Sequence, residues 1–452
     1  MLSNASSVIR RDDQRHFFHP WEALDGWGAA ERQILTRGEG IYVWDADGRR
    51  YIDGPGGQWC VNIGYGHPEM AAAAAAQMNG LPYMSPWLAT AEAPAALAAK
   101  LASLAPAGLN AVQFTCGGST AVDTALRTVH FVNNRRGLPD KKITIAREKG
   151  YHGSTYLAAT VSGKERDLSC FDIAADLVHF LPDVAPHRRP AGMSMEAFCD
   201  AKVADLEDAI LKLGPERVGA FIAEPVLCSG GVIIPPAGYH QRTLDVCRKY
   251  DVFYISDEVV TAFGRLGHWF ASEDVFGIEP DFITTAKGLT SGYLPLGACM
   301  VNDRVMGMMT GADHDVLFPN GYTYSGHPVC CAVALKNIEI IERDGLLDHV
   351  RTVSPHFQDR LGRLARYPVV GDARGIGLVG CIEGMLAPDT ALSVQRDIGA
   401  RLDAVCEDLG LIVRPLINMA VFSPALIITA AEIDEMFDIL EEALARVSAE
   451  FI

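Results

Sequence analysis

The chain has 452 residues, enough for two or three domains or one large intertwined unit, and its 49% hydrophobic and 21% charged residues exclude a disordered chain. With 56 acidic against 39 basic residues the formal net charge is -17, so a nucleic acid or an anionic membrane would need a local basic run, which the sequence lacks. Eleven cysteines, odd in number and without a C-x-x-C pair, argue against a disulfide framework or a zinc site, and no window approaches an uninterrupted apolar span, so the expected location is the cytoplasm.

The first predicted element is a hairpin, IYVWDADGRRYID, turning at Asp47-Gly48 because Asp-Gly accepts the positive φ such turns require. Asp45 and Asp47 do not make a calcium loop, since the third acidic ligand and the closing Glu are missing. Leu97, Leu101 and Leu104 then recur at helical spacing. From Ala111 onward strand-like runs alternate with helical ones, which predicts a mainly parallel sheet with covering helices. The candidate strands are residues 111–115, 142–146, 218–223, 252–256, 282–286 and 298–301. Arg135-Arg136 and Lys141-Lys142, between a helix and a strand, read as solvated loop ends. Leu206, Ala209, Ile210 and Leu213 mark a helical face that stops at Gly214-Pro215. Beyond Lys336 the segments are long and amphipathic. In the last of them Thr429 and Glu432 make a capping box before Ile433, Met436, Phe437, Leu440, Leu444 and Val447 on one face.

Three features sit where predicted strands hand over to turns, the edge of an open parallel sheet where ligands bind. In FTCGGSTAVDTALR a strand meets Gly117-Gly118-Ser119 and then a helix, so backbone N–H groups and the helix N-terminus could seat a phosphate, although a tight strand-to-helix turn wants glycine anyway. Asp257 ends an apolar strand and is costly to bury as an anion unless a cation or a strong donor meets it; capping a following helix is the alternative. Val259, two residues on, projects from the same side of an extended chain. Lys287 follows a strand in DFITTAKGLTSGYLPLGA, where the surrounding small residues leave room around its amine; alone it could be a turn lysine. Together the three are groups needed to hold pyridoxal phosphate: an amine for its aldehyde, a carboxylate to keep its ring nitrogen protonated, and a phosphate seat. A competing motif, GIGLVG at Gly375, Gly377 and Gly380, is followed by CIEGMLAPDT, which does not open a helix, so it reads as a glycine-rich strand and not a nucleotide turn. No histidine falls in an H-E-x-x-H arrangement and no metal is assigned.

Read together, WCVNIGYGHP (59–68), FTCGGSTAVDTALR (114–127), GYHGST (150–155), AEPV (223–226), GGVIIPP (230–236), SDEVVTAFGRLG (256–267), TTAKGLTSGYLPLGA (284–298) and GYTYSGHP (321–328) resemble the class III aminotransferases, in particular the ω-amino acid:pyruvate transaminases. The resemblance implies an α/β protein of the aspartate aminotransferase-like fold type I. Residues 71–335 would form a large pyridoxal-phosphate-binding domain with a mostly parallel sheet. A smaller α+β domain would be assembled from residues 1–70 and 336–452. It implies a homodimer with shared active sites, with a tetramer as a further option. Carried over residue by residue, Lys287 matches the Schiff-base lysine and proton shuttle, and Asp257 the partner of the ring nitrogen. Gly118 and Ser119 match the phosphate cup. Tyr151 and Val259 match the groups packing the two ring faces, and Glu224 the acidic residue near Asp257. Thr323 matches the threonine that reaches the phosphate of the neighbouring subunit's cofactor. Arg414 matches a carboxylate-binding arginine, and Trp59 and Trp21 match aromatics of the substrate pocket wall.

One stretch departs from the family pattern. Where N-S-G-S-E-A is common, this chain has Cys116-Gly117-Gly118-Ser119-Thr120-Ala121, so a serine hydroxyl and an acidic side chain are missing beside the phosphate cup. The resemblance implies transfer of an amino group from a primary amine or ω-amino acid to a keto acid such as pyruvate, by a ping-pong mechanism. Dialkylglycine decarboxylation, amino-group migration and racemisation are the alternatives on the same scaffold.

Overall fold

The computed structural model describes residues 2–22, 24–29, 31–310 and 316–452. Seven strands form the central sheet, in the spatial order Ala111–Thr115, Gly297–Val301, Phe282–Thr285, Phe253–Asp257, Val218–Ala223, Ile143–Arg147 and Val178–Leu181. The five strands from Phe282–Thr285 to Val178–Leu181 run parallel, and Gly297–Val301 runs antiparallel to both its neighbours. Sequence reading placed six of these strands to within a residue or two. It missed Val178–Leu181, a short edge strand that is only half-buried and therefore lacks the apolar run of the inner strands.

The strands Val218–Ala223 and Phe253–Asp257 are buried throughout, because helices cover both faces of the sheet. Period-two alternation sorts their side chains. Ala220, Ile222, Phe253 and Ile255 meet Val122, Leu126 and Val129 of helix Gly118–Arg135, while Phe221 and Tyr254 meet Leu206 and Ile210 of helix Met195–Leu213. Each of the large aliphatic and aromatic side chains among them contributes about 2 kcal/mol by removal from water. The doublet Lys141-Lys142 departs from the solvated reading. Lys141 is buried, its ammonium donating to the carbonyls of Pro215 at 2.6 Å and Tyr250 at 3.3 Å, which together replace the water it gives up.

Two smaller four-stranded sheets flank the centre. One contains the expected hairpin, Tyr42–Asp45 and Arg50–Asp53, with the short strand Leu411–Ile412 joined to it in parallel at Ile52 and Asp53. The other contains the GIGLVG segment as two antiparallel strands, Val370–Ile376 and Val379–Gly384, which accounts for its glycines without any nucleotide. Ile41 and Ile52 of the hairpin share one core with Phe422, Phe437 and Leu440 from the late part of the sequence. Helix Ala430–Phe451 starts at the expected capping box: Thr429 Oγ1 accepts from the Glu432 N–H at 3.2 Å, and the Glu432 carboxylate accepts from the Thr429 N–H at 2.8 Å.

Candidate active site

The carboxyl ends of the parallel strands open into a cavity of about 840 Å³. Its wall includes Lys287, Asp257, Gly118, Ser119, Tyr151, Glu224, Val259, Trp59, Trp21 and Arg414, so the fold brings ten of the eleven expected residues together. The register does this directly. Asp257 ends its strand opposite Thr284 of the next, and Lys287 stands just beyond the end of that second strand. Thr323 does not line the cavity; it is exposed, and its carbonyl accepts from the Tyr83 hydroxyl at 2.8 Å.

Asp257 is buried and doubly satisfied. Its Oδ1 accepts from the Val259 N–H at 3.1 Å, and its Oδ2 lies 2.6 Å from Nδ1 of the buried His152. The strong partner expected for a buried carboxylate is therefore a histidine that sequence reasoning left without a role, although it lies inside the GYHGST stretch. Glu224, also buried, accepts from the N–H of Tyr151 at 3.0 Å and of Cys228 at 3.2 Å, and burial raises its pKa above the usual carboxylate range. The Lys287 amine makes no hydrogen bond among the described residues, and burial lowers its pKa from the lysine range against the attraction of Asp257. Both Lys287, at φ +39°, and Trp59, at φ +63°, adopt the left-handed backbone region that costs a non-glycine residue about 1 kcal/mol or more. Strain of this kind gathers where the surrounding structure fixes a side chain for a purpose.

At the other end of the cavity the helix Gly118–Arg135 points its N-terminus inward. A Cβ on Gly118 would meet the two Val259 methyl groups at 3.1 Å, and a Cβ on Gly153 would meet Ser119 Oγ at 2.5 Å and its Cα at 2.7 Å. Glycine at both places lets three chain segments crowd around the helix start, where free N–H groups and partial positive charge attract an anion. Pyridoxal phosphate presents an aldehyde, a basic ring nitrogen and a phosphate. An unpaired amine, an anchored carboxylate and a glycine-lined helix start lie on the wall of one cavity, and the residues fit that group.

The far wall is cationic. Arg414 is partly buried, its Nε has no partner among the described residues, and burial together with Arg166 lowers its pKa from the arginine range. Lys164 and Arg166 line the same wall, and no periodicity or motif in the sequence marks either of them. Trp21 is mostly exposed, its ring 5.9 Å from that of Tyr151. Trp59 is buried, with its indole N–H unpaired among the described residues. Burial raises the Tyr151 pKa, and its hydroxyl lies 3.0 Å from Ser154 Oγ.

Comparison with known proteins places this geometry among related chains. The model of the family described as aminotransferase class-III matches residues 28–444. The putrescine–pyruvate aminotransferase of Pseudomonas aeruginosa is 37% identical over 445 residues, covering 98% of this chain and 96% of that protein. The mitochondrial gamma-aminobutyrate transaminase 1 of Oryza sativa subsp. indica is 39% identical over 429 residues, covering 93% of this chain and 83% of that protein. Among solved structures, a thermostable (S)-enantioselective omega-transaminase from Thermomicrobium roseum superposes with a TM-score of 0.94 at 36% identity, covering 98% of this chain and 99% of that one.

Proposed function

The chain belongs to the class III aminotransferases, pyridoxal-phosphate-dependent enzymes that move an amino group from an amine or ω-amino acid to a keto acid, and from that premise we propose how its own residues divide the work. The donor is a primary amine or ω-amino acid and the acceptor a keto acid such as pyruvate. The two enter one cavity in turn, the donor's carbonyl product leaving before the keto acid arrives.

Lys287 is the catalytic amine. Its depressed pKa supports this, because a neutral amine is both nucleophile and base. When bound, pyridoxal phosphate supplies an aldehyde that takes up an amine and a protonated ring that accepts the electrons a departing proton leaves behind. Lys287 Nζ would take that proton from the donor carbon and deliver it to the carbon of the cofactor's aldehyde. Asp257, fixed by His152, would hold the ring nitrogen. Tyr151 and Val259 would pack the ring faces, and Gly118 and Ser119 would hold the phosphate at the helix start. Glu224 fixes the turn that carries Tyr151. Trp21 and Trp59 bound the substrate, and Arg414 grips its carboxylate with a planar fork.

We further propose a homodimer in which Thr323 serves the cofactor of the neighbouring subunit. Two observations support it: Thr323 is exposed away from its own cavity, and around it Tyr83, Trp87, Leu88 and Tyr324 leave large apolar surfaces in water. Residues 1–70 and 336–452 are proposed as one small domain around 71–335, supported by the pairing of Leu411–Ile412 with Ile52–Asp53. The cytoplasm is proposed as location: the eleven cysteines are all free, which suits a reducing compartment.

The observation that carries the assignment is the unpaired Lys287 amine beside the His152-anchored Asp257. Borohydride reduction of the holoenzyme followed by peptide mapping tests it. The reduced adduct is expected on the peptide containing Lys287, and K287A is expected to form no alanine from pyruvate and an amine. An adduct on another lysine would overturn the assignment.

A further inference from the structure

Asp53 has no part in the reaction as just divided, and it stands outside the cavity wall. It ends the hairpin strand Arg50–Asp53, buried and without an ion pair among the described residues. Burial raises its pKa, while donors from Tyr65, Gly57 and Gly56 oppose the rise. Its Oδ2 accepts from the Tyr65 hydroxyl at 2.6 Å and from the Gly57 N–H at 2.6 Å. Tyr65 is a firm post: its ring lies against Gly38, where a Cβ would come within 2.7 Å of it, and its backbone is bonded to Gly40 in both directions, at 2.8 and 3.1 Å. Asp53 carries that firmness across to Gly57.

Gly57 lies in a turn that does not hold itself. Gly56 at φ +57°, Gly57 at φ +66° and Trp59 at φ +63° all take positive φ, which glycine accepts freely and tryptophan does not. Two side chains fix the backbone here: Asp53 from one side, and Ser423 from the other, its hydroxyl donating to the Pro55 carbonyl at 2.7 Å. The turn delivers the Trp59 ring into a cluster with Val226, Cys228, Val379 and Val421, where it is buried and still forms part of the cavity wall. A buried carboxylate without a cation is costly, and an apolar side chain could fill the same space at less cost. What the charge adds is direction, because two donors on one carboxylate oxygen make shorter and stronger bonds than neutral partners would.

We propose that Asp53 is the positioning residue that sets Trp59 as a wall of the cavity, and thereby limits how bulky an amine the site accepts. The inference rests on the transaminase reading for the role of Trp59, and it adds a determinant of substrate size that lies outside the cavity itself.

Acrylamide quenching of the holoenzyme tests the placement of the indole without turnover, the emission lost in W59F serving as the Trp59 signal. D53N, measured against D53N/W59F, is expected to raise the quenching constant of that signal. It is also expected to shift the ratio of kcat/KM for 1-phenylpropylamine over 2-aminopropane, with pyruvate as acceptor, about tenfold toward the bulkier amine, the loss of one charge-assisted bond. In a W59A background D53N is expected to leave that ratio unchanged, which a general loosening of the fold would not do. A D53N protein that folds with either reading at its wild-type value overturns the proposal, and so does a D53N shift of the same size with and without the tryptophan. Absence of turnover with every amine would count against the transaminase reading instead, with the quenching still deciding the placement of Trp59. Should D53N melt early, Y65F removes one of the two donors and is expected to move both readings the same way; unchanged readings there overturn the proposal.

Discussion

His152 and Asp257 meet at 2.6 Å inside the protein, so removing the ring leaves a buried carboxylate with one backbone donor at 3.1 Å. H152F is expected to lower kcat about tenfold or more, with a smaller change in KM for pyruvate, measured by alanine formation. Gly153 is at φ +138° with Ser119 in the way of any Cβ. G153A is expected to weaken cofactor retention about tenfold, read as absorbance remaining after dialysis. At this scale the places of Lys287 and Asp257 on the cavity wall were legible because their neighbours are unusual: small residues around an amine, an apolar strand before an acid. His152 was not, since what sets its place is a partner, Asp257, brought near by folding and not by spacing.

Strands and helices were legible where one period dominates. The inner strands show as apolar runs because both their faces are covered, and the last helix shows both a start signal and a stripe. T429A removes the side-chain half of that start and is expected to cost about 1 kcal/mol, seen as a Tm lower by roughly 2 °C. The strand Val379–Gly384 carries a different kind of information, an acid that no periodicity explains. Burial pushes the Glu383 carboxyl up, but the guanidinium groups of Arg374 and Arg188 prevail and hold it below the usual carboxylate range. A carboxyl held lower when folded than unfolded stabilises the fold above its unfolded value of about 4.3, and that stability is lost as pH falls through the folded value. E383Q is expected to lower the midpoint of unfolding at pH 7 and to flatten its acid dependence below about pH 4.3, measured by denaturant titration.

The fold class was legible from motif order and composition, but the exposed faces were not, since a solvent-facing Leu has no periodic mark. Leu88 is 81% exposed and Trp87 74%, and Tyr83 sets its ring edge-on to that of Tyr324, 5.9 Å away, beside Thr323. L88D is expected to shift the sedimentation profile toward monomer and to lower activity with it. The parallel pairing of Leu411–Ile412 with Ile52–Asp53 has a temporal side. A chain emerging from the ribosome can close the central sheet, with Lys287 in position, before its hairpin has acquired its last strand. The wall bearing Arg414 is translated after nearly everything it faces. A nascent chain would then hold Lys287, Asp257 and the glycines of the helix start together before Arg414 has been made.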